Sequence, residues 1–412
     1  MIAFHYPPFQ GGSGVHRTLK FSRYLSDHGW QPVVLSAHPR AYPSTGVEQL
    51  DDIGDEVIVD RAFAVDIARH LSWKGRYLRI TALPDQWSSW WLGGVAHGLW
   101  LIRKYRPRVI WSTYPIATAH LIGLTLHRLT GLPWVADFRD SMTEENYPRD
   151  QWSRRTYLWI EKNVARRASS LVFTAASARQ MYLDRYRALS TDRCVLIPNG
   201  YDEEDFAGIR MPQKVHSDGR PLRLVHAGLI YPDDRDPRAF FRAVSRLKAK
   251  GIINRNITVI DLRASGSEAY YRSLLDELDV SDVVRLLPAL PYRSALQDCA
   301  DADALLLLQA ASCNHQIPAK VYEYLRLRKP MLAMTPRDGD TGKLLNETGG
   351  ATLVDLTDEE EIYQEIPKFL ASVHQQNHPM ADVEKVRSLS RKYQAWQLSA
   401  CLSEVTVNET GS

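Results

Sequence analysis

Short runs of β-branched and other apolar residues alternate along the chain with longer stretches in which apolar positions recur every three to four residues. The short runs have the length and composition of buried strands, and the longer period is that of amphipathic helices. Repetition of the two reads as successive βαβ units, which build a parallel sheet covered by helices on both faces. In the first half the predicted strands are 2–6, 32–35, 57–59, 108–111, 134–137, 171–173 and 194–197, with helices between them. The second half repeats the scheme at 222–226, 257–262, 283–287, 304–308, 331–334 and 351–354. Turn formers at Pro198, Asn199 and Gly200, followed by a polar segment over 211–221, mark a linker between two α/β domains. After about residue 382 the pattern is purely helical, so a strandless tail is expected to dock elsewhere. The expected domains are therefore 1–198 with about 382–412, and 199–381.

Composition narrows the function classes. With 412 residues, 44% of them hydrophobic and 24% charged, the chain matches an ordinary globular protein of two domains. Fifty-one Lys and Arg against 48 Asp and Glu leave +3, too even a balance for a protein that coats nucleic acid. The longest apolar stretch, 90–102, is too short to cross a bilayer and carries His97. No charged leader precedes an apolar segment at the start, so a cytoplasmic address is expected. The four cysteines, Cys194, Cys299, Cys313 and Cys401, lie far apart and read as reduced thiols, not as a zinc site or disulfide framework.

Five stretches carry candidate chemistry. Gly11, Gly12, Ser13 and Gly14 follow the first strand and open a helix predicted over 15–28, a turn whose free N–H groups suit an anion. The same glycines also serve a tight turn on steric grounds alone. They do not fit G-x-G-x-x-G, and no acidic residue closes the second strand, so NAD is disfavoured. Asp137, Arg139 and Asp140 sit at the carboxyl end of a strand, where open α/β sheets bind ligands, or else form a local ion pair. His120 falls early in a helix near the same edge, and is either a site residue or a structural histidine. Arg235 precedes Asp236 and Pro237, a predicted helix start, and can clamp a phosphate or simply face water. In the last stretch, 312–325, a polar loop enters a helix at Pro318. There Val321, Tyr324 and Leu325 make one apolar face, and Lys320 and Glu323 lie on the other side. A lysine at the positive end of a helix is disfavoured unless an anion joins it; the alternative is an exposed Lys–Glu pair.

In order and spacing these elements resemble the retaining glycosyltransferases of the GT-B architecture, family 4. The resemblance runs from the Pro7-Pro8 and glycine turn through Asp137 to Asp140, Ile197 to Gly200 and Arg235 to Pro237, and ends at Lys320 to Leu325. It implies two Rossmann-like parallel-sheet domains facing across a cleft, with a C-terminal helix crossing back to the first. The second domain would bind a nucleotide sugar, with uridine the expected base, and the first a glycan or lipid-linked acceptor. Gly12, Ser13, Gly14, Arg235, Lys320 and Glu323 would then hold the donor's nucleotide and diphosphate, and His120 and Asp140 would serve the reaction. His315 stands where the family's first glutamate is usual. No metal is expected, since cations and helix ends stabilise the leaving diphosphate. Trp87, Trp90, Trp91 and Trp100, with Arg154, Arg155, Arg166 and Arg167, either make a surface for a sugar chain or for peripheral attachment to a membrane face, or are core aromatics and solvated arginines. An epimerase of the same architecture and a non-catalytic scaffold are the alternatives.

Overall fold

The computed structural model describes residues 1–11, 14–47, 49–72, 74, 76–145, 147–211, 219–232 and 235–408. It divides into two compact units, Met1–Asn199 with Arg391–Ser412, and Gly200–Ser390. The return to the first unit thus comes at 391, later than the expected 382.

The first unit contains β1 (Val33–Ala37), β2 (Ile58–Ala62), β3 (Ile110–Thr113), β4 (Trp134–Phe138), β5 (Ser170–Phe173) and β6 (Cys194–Leu196). Strands β1 and β2 pair in parallel, and β3 to β6 form a second parallel run in chain order. The predicted strand at 2–6 is reduced to a single bridging residue, Ile2, which pairs with both Leu35 and Ser112 and joins the two runs. Ladder pairing stops early because Pro7 and Pro8 lack N–H donors, and because Phe4 turns its ring onto Tyr42, Trp87 and Trp90. The order of strands reverses at this segment: β1 and β2 lie to one side of it and β3 to β6 to the other.

Helix Gly14–Tyr24 ends before a short 3-10 turn, Ser26–His28, which Gly29 closes at φ 77°. Its fully buried Arg17 donates to Asp137 at 2.8 and 3.1 Å and to the carbonyls of Ile197 and Pro198 at 3.0 and 2.9 Å, tying the helix to β4 and to the end of β6. The C-terminal helix, Arg391–Asn408, buries Ala395, Leu398, Cys401 and Leu402 against Phe21, Tyr24, Trp111 and Val172. This is the docking that a strandless tail requires.

The second unit is one parallel sheet of β7 (Leu222–Ala227), β8 (Thr258–Arg263), β9 (Val284–Leu287), β10 (Ala304–Leu308), β11 (Met331–Met334) and β12 (Ala351–Val354), ordered β12-β11-β10-β7-β8-β9. Strand β10 shows why an unbroken apolar run is needed. Ala304, Leu306 and Leu308 enter one core with Phe240, Tyr271 and Phe369, while Leu305 and Leu307 enter the other with Leu296, Val321 and Tyr324. The order reverses between β10 and β7, so the crevice outside their carboxyl ends is the place where this topology binds ligands.

Candidate functional site

A cavity of about 320 Å³ opens at that crevice. It is lined by Gly228 after β7, Arg263 and Ala264 at the end of β8, Ala289 and Leu290 after β9, Tyr292 and Cys299 on helix Tyr292–Asp301, and Lys320 and Glu323 on helix Ala319–Leu327. Gly228 has φ 114°, and a Cβ there would lie 2.9 Å from the Lys320 Nζ. Glycine therefore keeps open the approach of the lysine to the strand end. Ala264, at φ 54°, holds a conformation unusual for a residue with a Cβ, a strain found most often beside ligands.

Lys320 does not pair with Glu323. Its Nζ lies 3.1 Å from His226 Nε2, and His226 Nδ1 is 3.0 Å from the Leu306 carbonyl oxygen. The carbonyl accepts only, so Nδ1 carries the hydrogen and Nε2 offers its lone pair to the lysine. Burial first, then Lys320, push the His226 pKa well down, which keeps the ring neutral. Burial, then Arg235, lower the pKa of Lys320 to about 7, with Glu323 acting in the opposite sense. An ammonium held this way gains from any anion that enters the cavity. Glu323 accepts from the Tyr292 hydroxyl at 2.8 Å, and burial followed by Glu323 raises the pKa of that tyrosine.

Arg235 donates to the Leu229 carbonyl at 3.0 Å and lies over the Tyr231 ring, and its buried Nε has no partner. The helix beyond it begins at Arg238 with Pro237 as the cap, one residue later than the expected cap at Asp236 and first-turn position at Pro237. The Asp236 carboxylate is occupied by the Arg238 backbone and side chain. The polar loop before Lys320 hangs from buried Gln309, which donates to the carbonyls of Cys313 and Gln316 at 2.7 and 2.9 Å and accepts from Thr341 at 2.7 Å. His226, Tyr292 and Gln309 had no place in the expected site. The visible trace of His226 is its position beside a glycine at a strand end.

In the first unit Gly14 is the first residue of its helix, while Gly12 and Ser13 lie outside the described residues. Asp140 is partly exposed just past β4, and its carboxylate forms no hydrogen bond or ion pair among the described residues. His120 is fully buried on helix Ala117–Thr130, among Tyr114, Trp134 and Phe138, with Nδ1 2.8 Å from Ser112 Oγ. Burial lowers its pKa to about 3, so it stands neutral in the core.

Of the four tryptophans left open between core and surface, Trp90 is buried, Trp87 bonds the Ala41 carbonyl and Trp91 bonds Thr125; Trp100 is exposed. No group of three His, Cys, Asp or Glu side chains converges as a metal site among the described residues. No helix among them is long and apolar enough to cross a membrane.

Comparison with known proteins gives the geometry its class. Over its whole length the chain is similar to sucrose-phosphate synthase from Thermosynechococcus elongatus, at 15% identity, covering 99% of this chain and 98% of that one, with a TM-score of 0.62. It is also similar to Anabaena Alr3699/HepE, solved in complex with UDP, at 13% identity, 100% and 98% coverage and a TM-score of 0.59. A third neighbour is alpha,alpha-trehalose 6-phosphate synthase from Burkholderia multivorans, at 12% identity, 99% and 97% coverage and a TM-score of 0.64. No curated protein matches the sequence. The fold is that of the GT-B glycosyltransferases. Residues 11–200 match the family model described as glycosyl transferase 4-like domain.

Proposed function

We propose that the protein transfers a sugar from a nucleotide donor, with uridine as its base, to a glycan or lipid-linked acceptor. The observation that carries this reading is the second-unit cavity, where Lys320 and Glu323 flank a glycine at the topological switch point. The diphosphate would meet Lys320 and the unpartnered Nε of Arg235, and Glu323 would accept hydrogen bonds from the ribose hydroxyls. The exposed faces of Leu290 and Tyr292 at the rim would cover the base. Positive charge fixed at the diphosphate stabilises the leaving group as the glycosidic bond breaks, so no metal is assigned. Retention at the anomeric carbon is carried by the family resemblance.

The acceptor is assigned to the first unit, with Asp140 beside it; buried His120 would act only through the packing under β4. The family resemblance gives the turn of Gly12, Ser13 and Gly14 to the donor diphosphate as well.

Peripheral attachment to an anionic membrane face, and with it a role in cell-surface polysaccharide synthesis, is supported by an apolar and basic surface. Leu78 and Ile80 are 74% and 77% exposed, and Trp152 and Trp159 are 58% and 49% exposed. The Arg79–Asp150 ion pair brings the first two beside the start of helix Gln151–Arg167, which carries both tryptophans and exposes Arg166 and Arg167.

The test is incubation with a panel of labelled nucleotide sugars, with and without a chelator. Release of free nucleotide that survives chelation supports the reading. An epimerised sugar nucleotide, or neither binding nor turnover, would contradict it.

A further inference from the structure

Glu323 is held from a neighbouring helix. It lies on helix Ala319–Leu327 and lines the second-unit cavity, but the lysine one turn before it, Lys320, is directed to His226. The Tyr292 hydroxyl reaches Glu323 at 2.8 Å, from the first position of helix Tyr292–Asp301. Pro291 caps that helix at φ −53°, so the tyrosine follows a residue with almost no freedom at this angle.

A second acid faces the same hydroxyl. Asp205 Oδ2, on the short 3-10 helix Glu203–Phe206, stands 3.3 Å from the Tyr292 oxygen. A phenol carries one hydrogen, and the shorter contact makes Glu323 its main acceptor. Burial, then the charges of Glu323 and Asp205, raise the Tyr292 pKa, so the hydroxyl keeps that hydrogen. Two carboxylates that approach one hydroxyl repel each other, and its hydrogen offsets the repulsion at Glu323. A carboxylate can accept roughly four hydrogen bonds, so one from Tyr292 is compatible with two more from the adjacent hydroxyls of a ribose. A carboxylate already held in place has less freedom to lose when a nucleotide binds. The tyrosine is 41% exposed at the cavity rim, so its ring face can cover a base while its tip holds the acid.

We infer that Tyr292 is a positioning residue, which orients Glu323 toward both hydroxyls of a ribose and so selects ribonucleotide donors over 2′-deoxyribonucleotide ones. The inference rests on the assignment of the nucleotide to the second-unit cavity. It narrows the substrate class: a thymidine-based sugar nucleotide, which lacks the 2′ hydroxyl, is a poor donor.

The experiment is calorimetric titration of the full chain with UDP and with 2′-deoxy-UDP, with thermal unfolding alongside. The unaltered protein should prefer UDP by about tenfold or more, as expected for a hydrogen bond to a charged group that the deoxy compound cannot make. Tyr292→Phe keeps the ring and removes only the donor. It should melt close to the wild type, and its preference for UDP should fall to about threefold or less. An effect on the ring or the fold lowers both affinities by the same factor and leaves the preference where it was. Tyr292→Met also lacks the donor and carries the test if the phenylalanine variant does not fold, because the readout is a ratio within one variant.

A wild-type preference in a normally melting Tyr292→Phe or Tyr292→Met overturns the proposal, and so does an unaltered protein that binds both nucleotides equally. Glu323→Ala tells this failure from that of the underlying assignment. If it weakens UDP binding and abolishes the preference while Tyr292→Phe keeps it, only the role of the tyrosine falls. If UDP fails to bind the unaltered protein, or binds Glu323→Ala as tightly as the wild type, the assignment of the nucleotide to this cavity falls, and the role of the tyrosine with it.

Discussion

Raising the pH from 7 to 9 should weaken UDP binding through one group, Lys320. In the empty cavity burial and Arg235 hold its pKa at about 7. A bound diphosphate places negative charge beside it and favours the protonated form, so binding above pH 7 must take up a proton. The affinity then falls as pH rises above 7, by about tenfold at pH 8 and about a hundredfold at pH 9, as long as the bound lysine stays charged.

The neighbouring groups leave this profile to the lysine. His226 is neutral throughout because its pKa is pushed well down, burial raises the Cys299 thiol to about 12, and Tyr292 is raised further still. The terminal phosphate of UDP titrates near pH 6, below the window. The assay is calorimetry in two buffers of different ionisation enthalpy, which also counts the proton taken up. Lys320→Met should bind more weakly at pH 7 and lose the slope. A wild-type affinity constant from pH 7 to 9, or an unchanged slope in Lys320→Met, would refute the argument.

Two further outcomes follow from the same geometry. Gly228→Ala adds a methyl 2.9 Å from Lys320 Nζ at a backbone φ of 114°, so it should lower the melting temperature and weaken UDP binding together; unchanged values in thermal unfolding and calorimetry would show that the lysine does not need this approach. Asp140→Asn should reduce kcat by about tenfold or more while donor affinity survives, because its carboxylate belongs to the first unit and the nucleotide to the second; steady-state kinetics with the true acceptor would expose an error if kcat is unchanged.

The strands were legible wherever burial on both faces left a continuous apolar run. Strands β10, β11 and β12 fall at 304–308, 331–334 and 351–354, as their patterning requires. The 2–6 segment misled because its alternation of apolar residues serves aromatic packing instead of a ladder. Lys320 and Glu323 could be picked out because each opposes the apolar face of its own helix, a local signal. Their partners could not. His226 lies 94 residues from Lys320 and Tyr292 lies 31 from Glu323, and only the sheet order brings them to one crevice. The same holds for Arg139 and Gly14, which are 125 residues apart. The tryptophans stayed open between core and surface for a related reason. Ring clusters look alike in sequence whether they fill a core, as Trp90 does, or face outward, as Trp152 does.

The central claim is that the nucleotide sits in the second-unit cavity, on Lys320 and Glu323. Calorimetric titration of UDP into Lys320→Ala and Glu323→Ala, alongside thermal unfolding, tests it most directly. The account predicts that each variant melts normally and binds UDP about tenfold or more weakly, as expected when a charged hydrogen-bonding partner is removed from a ligand. Wild-type affinity in both variants would place the nucleotide elsewhere and leave this helix with a purely structural role.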